Sequence, residues 1–155
     1  MKRLIPFFLA LILGFSGRAQ DEPQPFALVD QAPIYLGCEG DNAALKTCLS
    51  QKIAQFIGEN YNQEYAESLG IAPGRYKMYA RFTIDTKGDF SNITVEGEHI
   101  ALNEELKRVI DSFPKVIPGM IDDKPVDVMY ALPVMIQLND DPTKNRKKKK
   151  RKNKS

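Results

Sequence analysis

The chain has 155 residues, a formal net charge of +2, two cysteines and a single histidine. Setting aside an N-terminal targeting segment leaves about 136 residues, which bounds the protein to one domain with a modest core. Two thiols are too few ligands for a metal centre of their own, and their spacing is not a CxxC redox motif.

Residues 1–19 read as a cleavable secretory signal. Lys2 and Arg3 begin it, an apolar run covers Leu4 to Phe15, and Gly17-Arg18-Ala19 puts small residues where a signal peptidase cuts. The apolar run is about a dozen residues long, against the roughly 20 that a membrane span needs. A periplasmic or secreted protein is expected, the alternative being an uncleaved segment that anchors it in the inner membrane. Leu36-Gly37-Cys38 has the look of a lipoprotein cleavage box but lies far from the apolar run, so acylation at Cys38 is not expected. Residues 20–33, polar and Pro-containing, read as a short linker, and residues 34–139 as the folded domain.

Cys38 and Cys48 both follow the signal, in a compartment that tolerates disulfides. Cys48 shares a helical stripe with Leu45, Leu49, Ile53, Phe56 and Ile57. A Cys38–Cys48 bridge would tie the segment from Ile34 to Gly40 to that helix, contributing about 3 kcal/mol by closing a short loop. The helix is expected to begin near Asp41-Asn42, either of which can cap it, and to run to about Glu59. Tyr61 to Leu69 reads as a second short helix ended by Gly70, and Pro73-Gly74 as a turn into a strand.

The strand GRYKMYARFTID alternates. Tyr76, Met78, Ala80, Phe82 and Ile84 take one face, and Lys77, Arg81, Thr83 and Asp85 the other. Thr86-Lys87-Gly88 is a short connection with glycine where a positive φ is expected, so Ile93 and Val95 return on a paired strand. A helix from Asn103 places Leu102, Leu106, Val109, Ile110 and Phe113 on one stripe. Phe113-Pro114-Lys115-Val116-Ile117-Pro118-Gly119 stops it, and a final strand alternates through Val126, Val128, Tyr130, Leu132, Val134, Ile136 and Leu138. This predicts an α+β two-layer sandwich: an antiparallel sheet in ββαβ order, with a preceding N-terminal helix.

No pattern supports catalysis or a cofactor. His99 sits in a loop between strand and helix, and consecutive Glu96-Gly97-Glu98-His99 side chains rarely converge on one ion. Nucleophile-elbow, HExxH and Walker patterns are absent. Glu104-Glu105 read as acids in the first turn of a helix, and Asp122-Asp123 as a surface turn.

The small net charge hides two fields. Asp21 to Thr143 carries ten Lys or Arg against twenty Asp or Glu, and Lys144 to Ser155 carries nine basic residues and no acid. The tail KNRKKKKRKNKS has no apolar residue, and residues 140–155 are expected to be disordered. Lys147, Lys148, Lys149, Lys150 and Arg151 are the candidates for contact with an anionic surface. Without an aromatic residue to stack on bases, specific nucleic-acid recognition is not expected.

Binding is better supported than chemistry. Pro133 lies within the last strand, and a strand proline argues for an edge, a bulge or a strand end. An edge strand can accept an extended peptide by β-augmentation. GRYKMYARFTIDTKGDFSNITV, LNEELKRVIDSFPKVIPG and KPVDVMYALPVMIQL, in that order, resemble the C-terminal domain of the TonB energy-transducer family. IYLGCEGDNAALKTCLSQKIAQFI resembles the segment that precedes this domain in one branch of the family, so the likeness covers Ile34 to Leu138. It implies pairing of the final strand with a short extended segment of an outer-membrane TonB-dependent receptor or another envelope protein. Carried onto this chain, that strand is Val128, Met129, Tyr130, Ala131, Leu132 and Val134.

The chain departs from the family where the mechanics lie. The family's transducers have an uncleaved inner-membrane helix with a histidine and a long Pro-rich spacer. Here the N-terminal segment has no histidine, and a spacer of about a dozen residues reaches roughly 40 Å. The expectation is a non-enzymatic adaptor, competitor or regulator without cofactor, not an energy transducer. A homodimer through strand exchange is a further partner expectation. The alternative is an envelope structural protein whose basic tail does the binding.

Overall fold

Residues 22–139 are described by the computed structural model. In chain order they form β1 (Gln24–Pro25), α1 (Asn42–Asn60), α2 (Gln63–Ser68), β2 (Gly74–Ile84), β3 (Phe90–Gly97), α3 (Ile100–Asp111), β4 (Gly119–Ile121), β5 (Lys124–Val126) and β6 (Val128–Leu138). The architecture is mixed α/β. A four-stranded sheet has the order β1-β6-β2-β3, and β4 and β5 form a separate hairpin.

The β2–β6 ladder is antiparallel and unbroken, from Gly74 opposite Leu138 to Ile84 opposite Val128. Even-numbered residues of both strands therefore share one face. Met78, Phe82, Ile84, Val128, Tyr130 and Leu138 on that face are buried under Leu49, Ile53 and Ile57 of α1 and Leu102, Leu106, Val109 and Ile110 of α3. The opposite face carries Tyr79, Met129 and Met135 in the open, as an antiparallel sheet with one wet face does. On the far side of β2, β3 pairs through a bulge, where Asn92 and Ile93 together oppose Phe82 and Asn92 takes φ 50°. The extra residue inverts the alternation, so Phe90 as well as Ile93 and Val95 packs on the core. Phe90 then stacks on Phe113, and Phe113 on Phe56 of α1.

Local chemistry sets the element ends. Asp41 caps α1 by accepting from the Ala44 N–H at 2.8 Å, and Asn62 caps α2 by accepting from the Tyr65 N–H at 2.8 Å. Gly88 has φ +81°, and a Cβ there would lie 1.7 Å from the Val116 carbonyl oxygen. Only glycine lets this turn dock on the Pro-rich corner, where Val116 N–H donates to the Gly88 carbonyl at 3.0 Å.

Four expectations need correction. The sheet is not wholly antiparallel, because β1 runs parallel to β6. Residues 20–33 are not a linker over their described part. Val29 and Ala32 are buried, and Gln31 and Ile34 form bridges to Met120 and Ile117. The final strand does not include Val126, because Asp122 and Asp123, at φ 50° and 58°, close a tight β4–β5 hairpin that takes it. Helix α3 starts at Ile100, so no acid lies in its first turn and the macrodipole does not explain Glu104-Glu105.

The segment from Glu22 to Cys38 is a strap. Cys38 and Cys48 are joined by a disulfide, Cα to Cα 5.8 Å, which fixes the strap to α1. Asn42 accepts from the Ala32 N–H at 2.7 Å and donates to the Val29 carbonyl at 2.9 Å. Lys46 Nζ donates to the Ala27 carbonyl at 3.0 Å. Reducing the bridge, or making Cys48→Ser, should lower the unfolding free energy by about 3 kcal/mol in urea melts. Amide exchange should quicken at Gln24 and Phe26 before it quickens in β2. Unchanged exchange at those two amides would mean that the hydrogen bonds alone hold the strap.

Candidate functional site

In an antiparallel ladder the N–H and C=O of one residue point to the same side, and the side alternates along the strand. The carbonyls of Asp127 and Met129 accept from the N–H groups of Gln24 (2.7 Å) and Phe26 (3.1 Å), on the side away from β2. With no register break in β6, Ala131, Pro133, Met135 and Gln137 turn their backbone groups to that same side. Pro133 thus places its missing N–H where no ladder bond is lost, which is why a proline is tolerated beside β2.

Among the described residues no strand pairs with this side of β6 beyond Met129. At the far end, the Gln63 side-chain amide donates to the Gln137 carbonyl at 2.6 Å. Between β1 and this clamp runs a groove of about 440 Å³. One wall is β6 from Leu132 to Gln137, and the other is α1 and its C-cap through Ala54, Ile57, Gly58 and Tyr61. Burial pushes the Tyr61 phenol up to about 12, with the Glu105 charge adding to the shift, so the hydroxyl stays protonated at neutral pH.

The predicted strand residues divide along this line. Met129 has its outward carbonyl taken by the Phe26 N–H, and Val128 turns its backbone toward β2, so neither is free to receive a further strand. Tyr130 and Val134 are buried core residues, Leu132 packs against the same core, and all three turn their backbone toward β2. Ala131 faces the open side. Met135 and Gln137, which the resemblance did not single out, share that side with it. The signal for them was in the sequence: once Pro133 is taken to point outward, residues two away in either direction must do so too.

His99 stands at the N-cap of α3 without a capping hydrogen bond, its ring centroid 5.0 Å from that of Tyr76. Among the described residues no group of three His, Cys, Asp or Glu side chains is placed to hold a metal ion. No helix among them is long and apolar enough to cross a membrane. The expected signal segment, residues 1–19, and Lys147, Lys148, Lys149, Lys150 and Arg151 lie outside the described residues. Comparison with protein families, curated proteins and solved structures finds no match for this chain.

Glu105 is the one buried acid among the described residues. Its carboxylate accepts from Arg108 Nε at 2.8 Å and Nη2 at 2.6 Å, and from the Asn62 N–H at 2.9 Å. Arg108 also donates to the Asn60 carbonyl at 3.0 Å, so the pair seals the junction of α1 and α2 onto α3. The Arg108 guanidinium holds the Glu105 carboxyl below its ordinary range, against the opposing effect of burial. The folded pKa lies below the unfolded one. The stabilisation is therefore present above about pH 4.3 and lost as pH falls through the folded value. Glu105→Gln should cost about 2 kcal/mol at pH 7 and flatten the acid limb of stability against pH. Parallel wild-type and variant curves below pH 5 would show that the acid limb belongs to other carboxylates.

Proposed function

We propose that this protein is a non-enzymatic binding module of the cell envelope that captures an extended peptide on the outer edge of β6. One observation carries the reading: the backbone of Ala131, Pro133, Met135 and Gln137 faces a groove instead of another strand. Unpaired strand edges are sites of β-augmentation, in which main-chain hydrogen bonds give affinity and alternate side chains give specificity. The resemblance to the TonB C-terminal domain supports the same strand and suggests the ligand, an extended segment of an outer-membrane receptor or of another envelope protein. The succession β2, β3, α3, β6, with a hairpin interposed, suits that resemblance. The N-terminal signal pattern favours the periplasm or export. With a cleavable leader, and with residues 22–33 packed on the domain where a spacer was expected, the module acts as an adaptor or regulator rather than as a transducer of force.

A second reading rests on the separation of charge, with ten Lys or Arg against twenty acids up to Thr143 and nine basic residues after it. The tail then attaches the module to an anionic surface. The two roles are separable: truncation after Asp141 should abolish binding to anionic vesicles and leave peptide capture intact.

The direct test is an NMR titration of the disulfide-bonded protein with peptides copied from the N-terminal segments of outer-membrane receptors encoded in the same genome. Saturable shifts should gather on Ala131 to Gln137. Met135→Pro removes one outward N–H without touching the β2 ladder, and should weaken binding by about tenfold. Absence of shifts at millimolar peptide would reject the edge as the binding site.

A further inference from the structure

A strand added to the outer edge of β6 would extend the sheet beneath α1. Its alternate side chains would then meet the wall formed by Ala54 and Gly58, four residues apart and so on one face of the helix. Gly58 is the informative residue. It lies in the last turn of α1, where glycine is a poorer helix former than any residue but proline. It does not adopt the left-handed conformation that excuses glycine at helix ends, and the C-cap is Tyr61. A Cβ built on it meets nothing within 4 Å. Neither backbone conformation nor packing within the described residues demands a glycine here, and the space it leaves opens into the groove.

Three further observations limit the occupant. The groove lies along an edge where pairing is already made, because β1 pairs with the same edge of β6 up to Met129 and the groove lining starts at Leu132. Its walls are mainly apolar, from Ile57, Leu132, Val134 and Met135. Among the described residues, none that is charged lines the groove itself.

Resting on the reading of β6 as a peptide-capturing edge, we infer its specificity. The groove selects an extended segment of about six residues that presents one bulky aliphatic side chain to the space left by Gly58. The length follows from the run between Ala131 and Gln137 at about 3.3 Å per residue. The aliphatic residue fills space that the helix leaves empty.

The test uses the disulfide-bonded protein and acetylated, amidated seven-residue peptides of the form Lys-Thr-Thr-X-Thr-Thr-Lys, with X as Leu or Ala. The sequence is symmetric in residue type, so either strand direction is probed. The Leu peptide should bind at least about tenfold tighter than the Ala peptide, the scale on which apolar pockets discriminate. Replacing both Lys by Glu should leave the preference for Leu over Ala intact, because among the described residues none that is charged lines the groove. Gly58→Leu should keep or raise the melting temperature and abolish the preference for Leu. Gly58→Ala should reduce that preference in part.

Equal binding of the Leu and Ala peptides, or full Leu binding by Gly58→Leu, overturns the inference. In that case shifts along Ala131 to Gln137 would leave the edge reading standing. No shift with any peptide removes both. Concentration-dependent shifts of the same residues without peptide would seat a second copy in the groove. Shifts on truncation after Asp141 would seat the protein's own tail there. Either result also overturns the inference.

Discussion

The eleven-residue pairing of β2 with β6 is the constraint on which the rest of the structure depends. Because side chains alternate with a period of two, a slip of one residue would carry the buried set to the solvent face. Phe82 and Tyr130, opposite each other with ring centroids 5.3 Å apart, would leave the core together. The same register decides which backbone groups of β6 meet β2 and which are left over. Core and open edge are thus two consequences of one ladder.

The strap shows how a short strand survives on such an edge. Gln24–Pro25 could not hold itself against β6 with so few ladder bonds, since an isolated strand pair of ordinary length is already marginal in water. The residues after it hold it in place: Phe26 packs edge-on against Tyr130 at 4.7 Å, Asn42 bonds both Ala32 and Val29, and Cys38 is bonded to α1. The β4–β5 hairpin closes on the same segment through the Gln31–Met120 bridge, and Ile117 just before it bridges Ile34. Gly119 permits that closure, since a Cβ there would sit 2.7 Å from the Val128 side chain. The disulfide therefore governs more than a loop, because the strap it anchors sets where the exposed part of β6 begins.

Long periodic segments were legible in the sequence. The start of α1 at Asp41-Asn42, the start of β2 at Gly74, the glycine turn at Gly88 and the Cys38–Cys48 bridge follow from capping, period and spacing, and the structure has each. The failures share a cause. Gln24–Pro25 is too short to show a period, and its pairing depends on contacts far along the chain. The hairpin at Asp122-Asp123 reads in the sequence as a turn without its strands, because three residues on either side cannot display alternation. Glu105 reads only as a first-turn acid of a helix, because its partners are local only in part. Arg108 lies one turn away, but the Asn62 N–H is brought up by the fold. The open edge was half visible, through Pro133. Its opposite wall was not, since nothing in a linear pattern announces that Ala54 and Gly58 overhang the edge of a strand some eighty residues further on.

An open strand edge is a hazard, since its unpaired groups template indiscriminate pairing with other chains. Here the edge is blunted at three points. β1 covers its beginning, Pro133 removes a donor from its middle, and the Gln63 amide occupies an acceptor at its end. The remainder is short and lies under a helix, so a flat sheet from another molecule could not slide against it. These features limit pairing to a single narrow strand. A wholly covered edge would have been safer and would need no helix wall shaped by a glycine that the fold itself does not require. The combination of protection everywhere else with unfilled space at Gly58 is what sets this stretch of β6 apart from an ordinary exposed edge.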